Sequence, residues 1–139
     1  MRARLTAAVL AVSLALAAPL QGCAAWLSDA KAQAAVDALA YASVALRMLN
    51  AVAEKQIDSL DLPTPEQLEH AAVVVRDLKD ARHDLELAEH DAKADDLDAA
   101  RSHLKDAVLH MRGATDSLKK LGANVKDVQK ALDLVERFL

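Results

Sequence analysis

Four histidines stand in two pairs of equal spacing, His83 with His90 and His103 with His110, and both pairs are centred on one point between Asp96 and Leu97. Seven residues is two helical turns, so each pair lies along one side of a helix. An antiparallel hairpin folded at that centre brings His90 toward His103 and His83 toward His110, with Asp84, Glu86 and Asp91 beside them. Imidazole nitrogen mixed with carboxylate oxygen is a donor set for zinc, copper or nickel. Two features weigh against a site. The turn signals fall one or two residues before the centre, and helical phase puts all four histidines on the flanks of the polar face, away from the leucines. The residues therefore read as surface histidines, and the expectation is no bound metal. His-Glu-x-x-His, paired Glu-x-x-His, Cys-x-x-Cys-His and glycine-rich phosphate loops are all missing from the sequence, so zincin, di-iron, c-type haem and nucleotide chemistry have no footing. Met48 and Met111 are soft ligand types, but Met111 falls on an apolar heptad position and reads as packing. The sequence offers no catalytic set, so the expectation is a non-enzyme with no cofactor and no small-molecule substrate.

The sole cysteine, Cys23, carries a second chemistry. It follows a basic start (Arg2, Arg4), an uncharged run from Leu5 to Ala18 built from Leu, Val and Ala, and a small-residue exit. That order is a secretory signal, and the run is shorter than the ~20 residues of a comfortable bilayer span. Leu20-Gln21-Gly22-Cys23 resembles the lipobox of bacterial lipoproteins, although Gln21 stands where a small or β-branched residue is more usual. The resemblance covers residues 1–23 alone. It implies lipidation of the Cys23 sulfur, cleavage before Cys23 and acylation of its new amino group. Several acyl chains anchor far more firmly than one, at ~0.8 kcal/mol per buried methylene. Ala24, in place of Asp, resembles the outer-membrane sorting pattern of enteric lipoproteins. The expected division is a signal peptide over 1–22, an anchor and linker over 23–29, and a helical domain over 30–139. The expected location is the outer membrane, facing the periplasm. In the linker, Trp26 suits the headgroup level or a core contact equally.

With one Trp, one Tyr, one Phe and three Gly in 139 residues, strands and tight hairpins lack their usual residues. Alanine, leucine and charged helix formers dominate, so the fold class is all-α. Removing the signal takes away Arg2 and Arg4 and no acid, leaving 15 Lys and Arg against 21 Asp and Glu, a net of −6. That balance speaks against nucleic acid and against docking on anionic lipid. Residues 77–98 hold nine acids and three bases, and residues 101–137 hold eight bases and five acids. Helices built from these segments are complementary, but solvated pairs contribute under ~1 kcal/mol each.

The elements follow from period and punctuation. Leu39, Ala42, Leu46, Leu49, Ala53, Gln56 and Leu60 step by three and four, with Val36 and Ile57 beside them, and predict a first helix from about 28 to 60. Pro63 stops it, Thr64 caps the next, Pro65 suits a first helical position, and Gln67 completes a capping box. Leu68, Ala71, Val75, Leu78, Leu85, Ala88 and Ala92 then predict the inner face of a second helix over 65–93, widened by Val74 and Ala81, with Arg82 at its edge. The acidic turn after Asp91 resembles the hairpin of a tetratricopeptide repeat, but no second 34-residue copy follows, so an ordinary αα-hairpin is expected, with Asp95 or Asp96 capping the third helix.

The longest pattern comes last. Leu97, Leu104, Met111, Leu118, Val125, Leu132 and Leu139 recur every seven residues, interleaved with Ala100, Ala107, Ala114, Leu121, Val128 and Val135. An unbroken heptad argues for one helix, yet Leu121-Gly122-Ala123-Asn124 carries the local signs of a stop and a new cap. Length tips the reading toward an antiparallel bundle of three long helices plus a short fourth, because a continuous third helix carries Val125 onward past its neighbours into water. In the continuous alternative Val125, Val128, Leu132, Val135 and Leu139 form an exposed seam for a protein partner or a homo-oligomer.

Overall fold

The computed structural model describes residues 30–139; Cys23, Trp26 and the rest of the expected signal and linker lie outside the described residues. Four helices follow in order: α1 (Ala30–Asp58), α2 (Pro65–Lys93), α3 (Leu97–Lys120) and α4 (Lys126–Glu136). No strand occurs among the described residues. The bundle is the expected one, three long helices and a short fourth.

Alanine decides how closely α1 approaches its neighbours. Ala32, Ala35, Ala38, Ala42, Ala45 and Ala53 are buried beside Leu39, Leu46 and Leu49, so small side chains admit neighbouring backbones while leucines fill the gaps. By length and composition α1 alone among the described helices could cross a membrane, and half of its apolar window is buried inside the bundle. At its C-terminal end Gln56 donates from Nε2 to the carbonyl of Leu121 at 2.7 Å, tying it to the turn after α3.

The α1–α2 break follows its residues. Gln67 N–H donates to Thr64 Oγ1 at 3.2 Å, Thr64 N–H donates to Gln67 Oε1 at 2.9 Å, and Pro65 takes the first helical position. The inner face of α2 differs from its expected stripe in its first half. Leu68 and Val75 are exposed, while Val74, Asp77, Ala81, Leu85, Ala88 and Ala92 are buried. The helix is rotated by about one position, so Val74 takes the place expected of Val75, and a carboxylate, Asp77, takes the place expected of Leu78.

Two Schellman motifs turn the chain at either end of α3. After α2, Asp96 N–H reaches back to Asp91 O (2.9 Å) and Asp95 N–H to Ala92 O (3.1 Å), with Asp95 at φ 62°. Asp96 then caps α3, its Oδ1 accepting from Ala99 N–H at 3.1 Å. After α3, Ala123 N–H reaches Leu118 O and Gly122 N–H reaches Lys119 O, both at 3.0 Å, with Gly122 at φ 90°. Asn124 Oδ1 accepts from Lys126 N–H at 3.2 Å as α4 begins.

The fold-back corrects the exposed-seam alternative. Val125, Val128, Leu132 and Val135 are buried, and Leu139 packs partly buried against the same core. Burying those residues against the bundle removes the apolar area that a continuous helix leaves in water, and this favours the break at Gly122. Three further contacts hold α4 and its C-terminal end. Tyr41 stacks on Phe138 with ring centroids 5.3 Å apart. Arg112 grips Asp133 (2.6 Å) and Glu136 (3.0 Å), and the Arg101 guanidinium donates to the carbonyl of Leu139. Burial works against the charge on Arg112, but its hydrogen bonds to Asp133 and Glu136 prevail and hold it above the ordinary arginine value.

Candidate functional site

The polar residues that the bundle gathers lie along the seam between α2 and α3. Asp77, Asp84 and Asp91 recur every seven residues on α2, and they face His103 and His110, seven apart on α3. The described ion pairs that cross from α2 to α3 are all carried by these two histidines.

His110 sits between two carboxylates. Its Nδ1 lies 3.7 Å from Asp77 Oδ1 and its Nε2 3.4 Å from Asp84 Oδ2. When protonated the ring offers an N–H to each side. Asp77 is 8 % exposed, and it fits because Gly113 faces it: a Cβ at Gly113 would stand 2.5 Å from Asp77 Oδ2. Here glycine permits a close approach of a carboxylate to a helix backbone. Arg76 lies 3.5 Å from the other Asp77 oxygen.

His103 is placed differently. Its Nε2 faces Asp91 Oδ2 at 3.3 Å, while its Nδ1 is buried and has no hydrogen-bond partner. One of its ring nitrogens lies within 4.8 Å of carboxylate oxygens from both Asp84 and Asp106. Asp77, Asp80 and His110 form a second such group. Asp84 belongs to the first group and also faces His110 of the second. Burial drives its carboxyl above the ordinary aspartate value, helped by the charge of Asp106 and opposed by His110, His103 and His83.

The convergence of four histidines that a symmetric hairpin would give does not occur. His103 and His110 lie in the seam, but His90 is exposed and among the described residues pairs with Asp91 alone, its Nδ1 lying 3.5 Å from Asp91 Oδ1. Asp91 thus stands between His90 and His103, which do not meet directly. His83 enters neither group of three, and Glu86 pairs instead with Arg82 at 3.0 Å. The reason is helical phase. Asp84 and Asp91 follow His83 and His90 directly, but each step turns the helix by about 100°, so the aspartates face α3 while His83 and His90 are turned outward and exposed. Sequence reasoning missed Asp77, Asp80 and Asp106. The Asp77-Asp84-Asp91 spacing was the available signal, and it was obscured by reading acids as a solvated face. Met111 is fully buried as packing.

Comparison with models of known families, with curated proteins and with solved structures finds no match to this chain.

Proposed function

We propose that this chain is a lipid-anchored helical module of a bacterial cell envelope, held at the outer membrane with its bundle in the periplasm, which acts by binding and presentation and not by catalysis. The observation that supports it is the motif ending in Cys23, which closes a basic-then-apolar segment seven residues before α1 opens at Ala30. Seven residues span at most ~25 Å, so a lipid on Cys23 keeps the Ala30 end of the bundle near the bilayer. With helices alternating in direction, the α2–α3 turn lies at that same end. Its acids Asp91, Asp95, Asp96 and Asp98 are a poor fit to anionic headgroups, and they favour a tethered domain that stands off the surface.

The bundle's long apolar stripes are spent on its own core. Residues 125–139 offer no open seam, so self-association through them does not enter this reading. Cys23→Ser tests the proposal by fractionation and mass. The protein should leave the membrane fraction or accumulate as unprocessed precursor. Unchanged mass and unchanged fractionation would overturn the anchor.

A further inference from the structure

We propose that Asp84, His103 and Asp106 form a binding site for a divalent first-row cation such as zinc, with Asp91 as the residue that orients the histidine. The juxtaposition is a mixed one: an imidazole and two carboxylates from two helices, each offering a ligand atom within 4.8 Å of the others. One nitrogen with two oxygens is a donor set for zinc and its neighbours, and three protein ligands leave a further position open to water.

The state of His103 is the second observation. Its Nε2 faces the Asp91 carboxylate at 3.3 Å. In a neutral ring that partner favours the proton on Nε2, since the other tautomer sets lone pair against lone pair. The in-plane lone pair is then on Nδ1, which is the buried side-chain nitrogen or oxygen without a hydrogen-bond partner among the described residues. Leaving such an atom unsatisfied is costly, and a cation supplies the missing partner. A carboxylate behind a histidine ligand is also the usual means of fixing its tautomer and ring plane. His110 does not qualify in the same way, because both of its nitrogens already face carboxylates.

The charge on the site points the same way. The carboxylates of Asp84 and Asp106 each place an oxygen within 4.8 Å of the other and repel when both are ionised. A bound dication offsets that repulsion. The site lies wholly within the bundle and does not depend on how Cys23 is processed.

Titration of the full chain, stripped with chelator and held in mild detergent, with zinc alone by calorimetry, and with cobalt alone by its visible bands, tests the site. The expected result is saturable binding of one ion per chain, with a melting temperature that rises with zinc. His103→Ala and Asp106→Asn should each weaken binding by about tenfold or more, and Asp91→Asn by about tenfold. His83→Ala and His90→Ala should leave it unchanged. Circular dichroism of each variant shows whether the bundle is intact. Asp106 is exposed, so its variant reports on binding even where the others disturb folding. Binding that fails to saturate, or that survives both His103→Ala and Asp106→Asn, overturns the site. Equal loss with His90→Ala does the same, by moving the ligand to the outer surface. Failure of the membrane anchor would leave every one of these readings unaltered.

Discussion

Two of the seams that helix α3 makes with its neighbours have opposite chemistry. Toward α4 the joint is apolar and continuous with the core: Val128, Leu132 and Val135 are 0–1 % exposed, and polar contacts such as the Arg112 fork lie at the rim. Toward α2 the joint contains a polar row, with Asp77, Asp84 and Asp91 set against His103 and His110. The apolar seam is held by burial, which tolerates small shifts because any close-packed arrangement removes the same area from water. The polar seam depends on which atoms face which. A rotation of one residue in α2 put Asp77 where Leu78 was expected, and the same helical phase turns Asp84 and Asp91 toward α3 and leaves His83 and His90 outside.

The largest expected effect lies in the apolar seam. Leu132→Ala removes a fully buried side chain and should destabilise the chain by ~2–5 kcal/mol, measured by urea unfolding. Asp84 and Asp91 should tolerate change better, since their side chains are short and only partly buried. A Leu132→Ala variant that unfolds at the wild-type midpoint would place α4 outside the core and erase the contrast.

That outcome bears on what the residues themselves made legible. The α3–α4 heptad runs from Leu97 to Leu139 without a slip, and period alone called for one helix. Gly122 decided otherwise, because a left-handed residue followed by Asn124 closes one helix and starts another whatever the phase of the leucines. Each helix buries its own stripe, so a phase preserved across a turn carries no information about continuity. The Thr64-Pro65-Gln67 boundary was readable for the same reason, as its chemistry is local. The seam with α2 was only half readable. His103 and His110 stood out by type and spacing, but their partners depended on which side of α2 faces α3, and a single residue turns that helix by about 100°. Asp77 needed a further fact, that Gly113 on another helix leaves space for it.

The two turns that end at these seams sharpen the comparison at intermediate size. Both are Schellman motifs with a left-handed residue, Asp95 at φ 62° and Gly122 at φ 90°. Gly122→Ala should cost ~1–2 kcal/mol, since a Cβ in that conformation meets the following carbonyl even though the surrounding space is open. Asp95→Gly already has that strain to relieve, and should be neutral or stabilising by up to ~1 kcal/mol, the gain reduced by the greater freedom of glycine in the unfolded chain. Urea midpoints at fixed pH give both values. Equal tolerance at the two positions would show that α3 does not turn at Gly122, and that the apolar seam has been drawn at the wrong place.

The smallest expected effect belongs to the polar seam and involves one proton. Burial raises the Asp84 carboxyl above the ordinary 3.8, against the pull of the nearby imidazoles. In the metal-free protein the folded chain therefore keeps a proton on Asp84 at pH values where the unfolded chain has released it. Folding stability falls as pH climbs through that interval, from the ordinary aspartate value up to the raised one, and the loss is complete above it. Other carboxylates titrate in the same range, so the quantity to measure is the difference between wild type and Asp84→Asn in urea midpoint from about pH 3 to pH 6. Wild type should lose ground to the variant across the interval, and the difference should level off above it. A difference that widens in favour of wild type as pH rises would mean that His103 and His110 hold Asp84 ionised more strongly than burial opposes it. The seam would then be a set of satisfied ion pairs, stable in its own right like the apolar seam on the other side of α3.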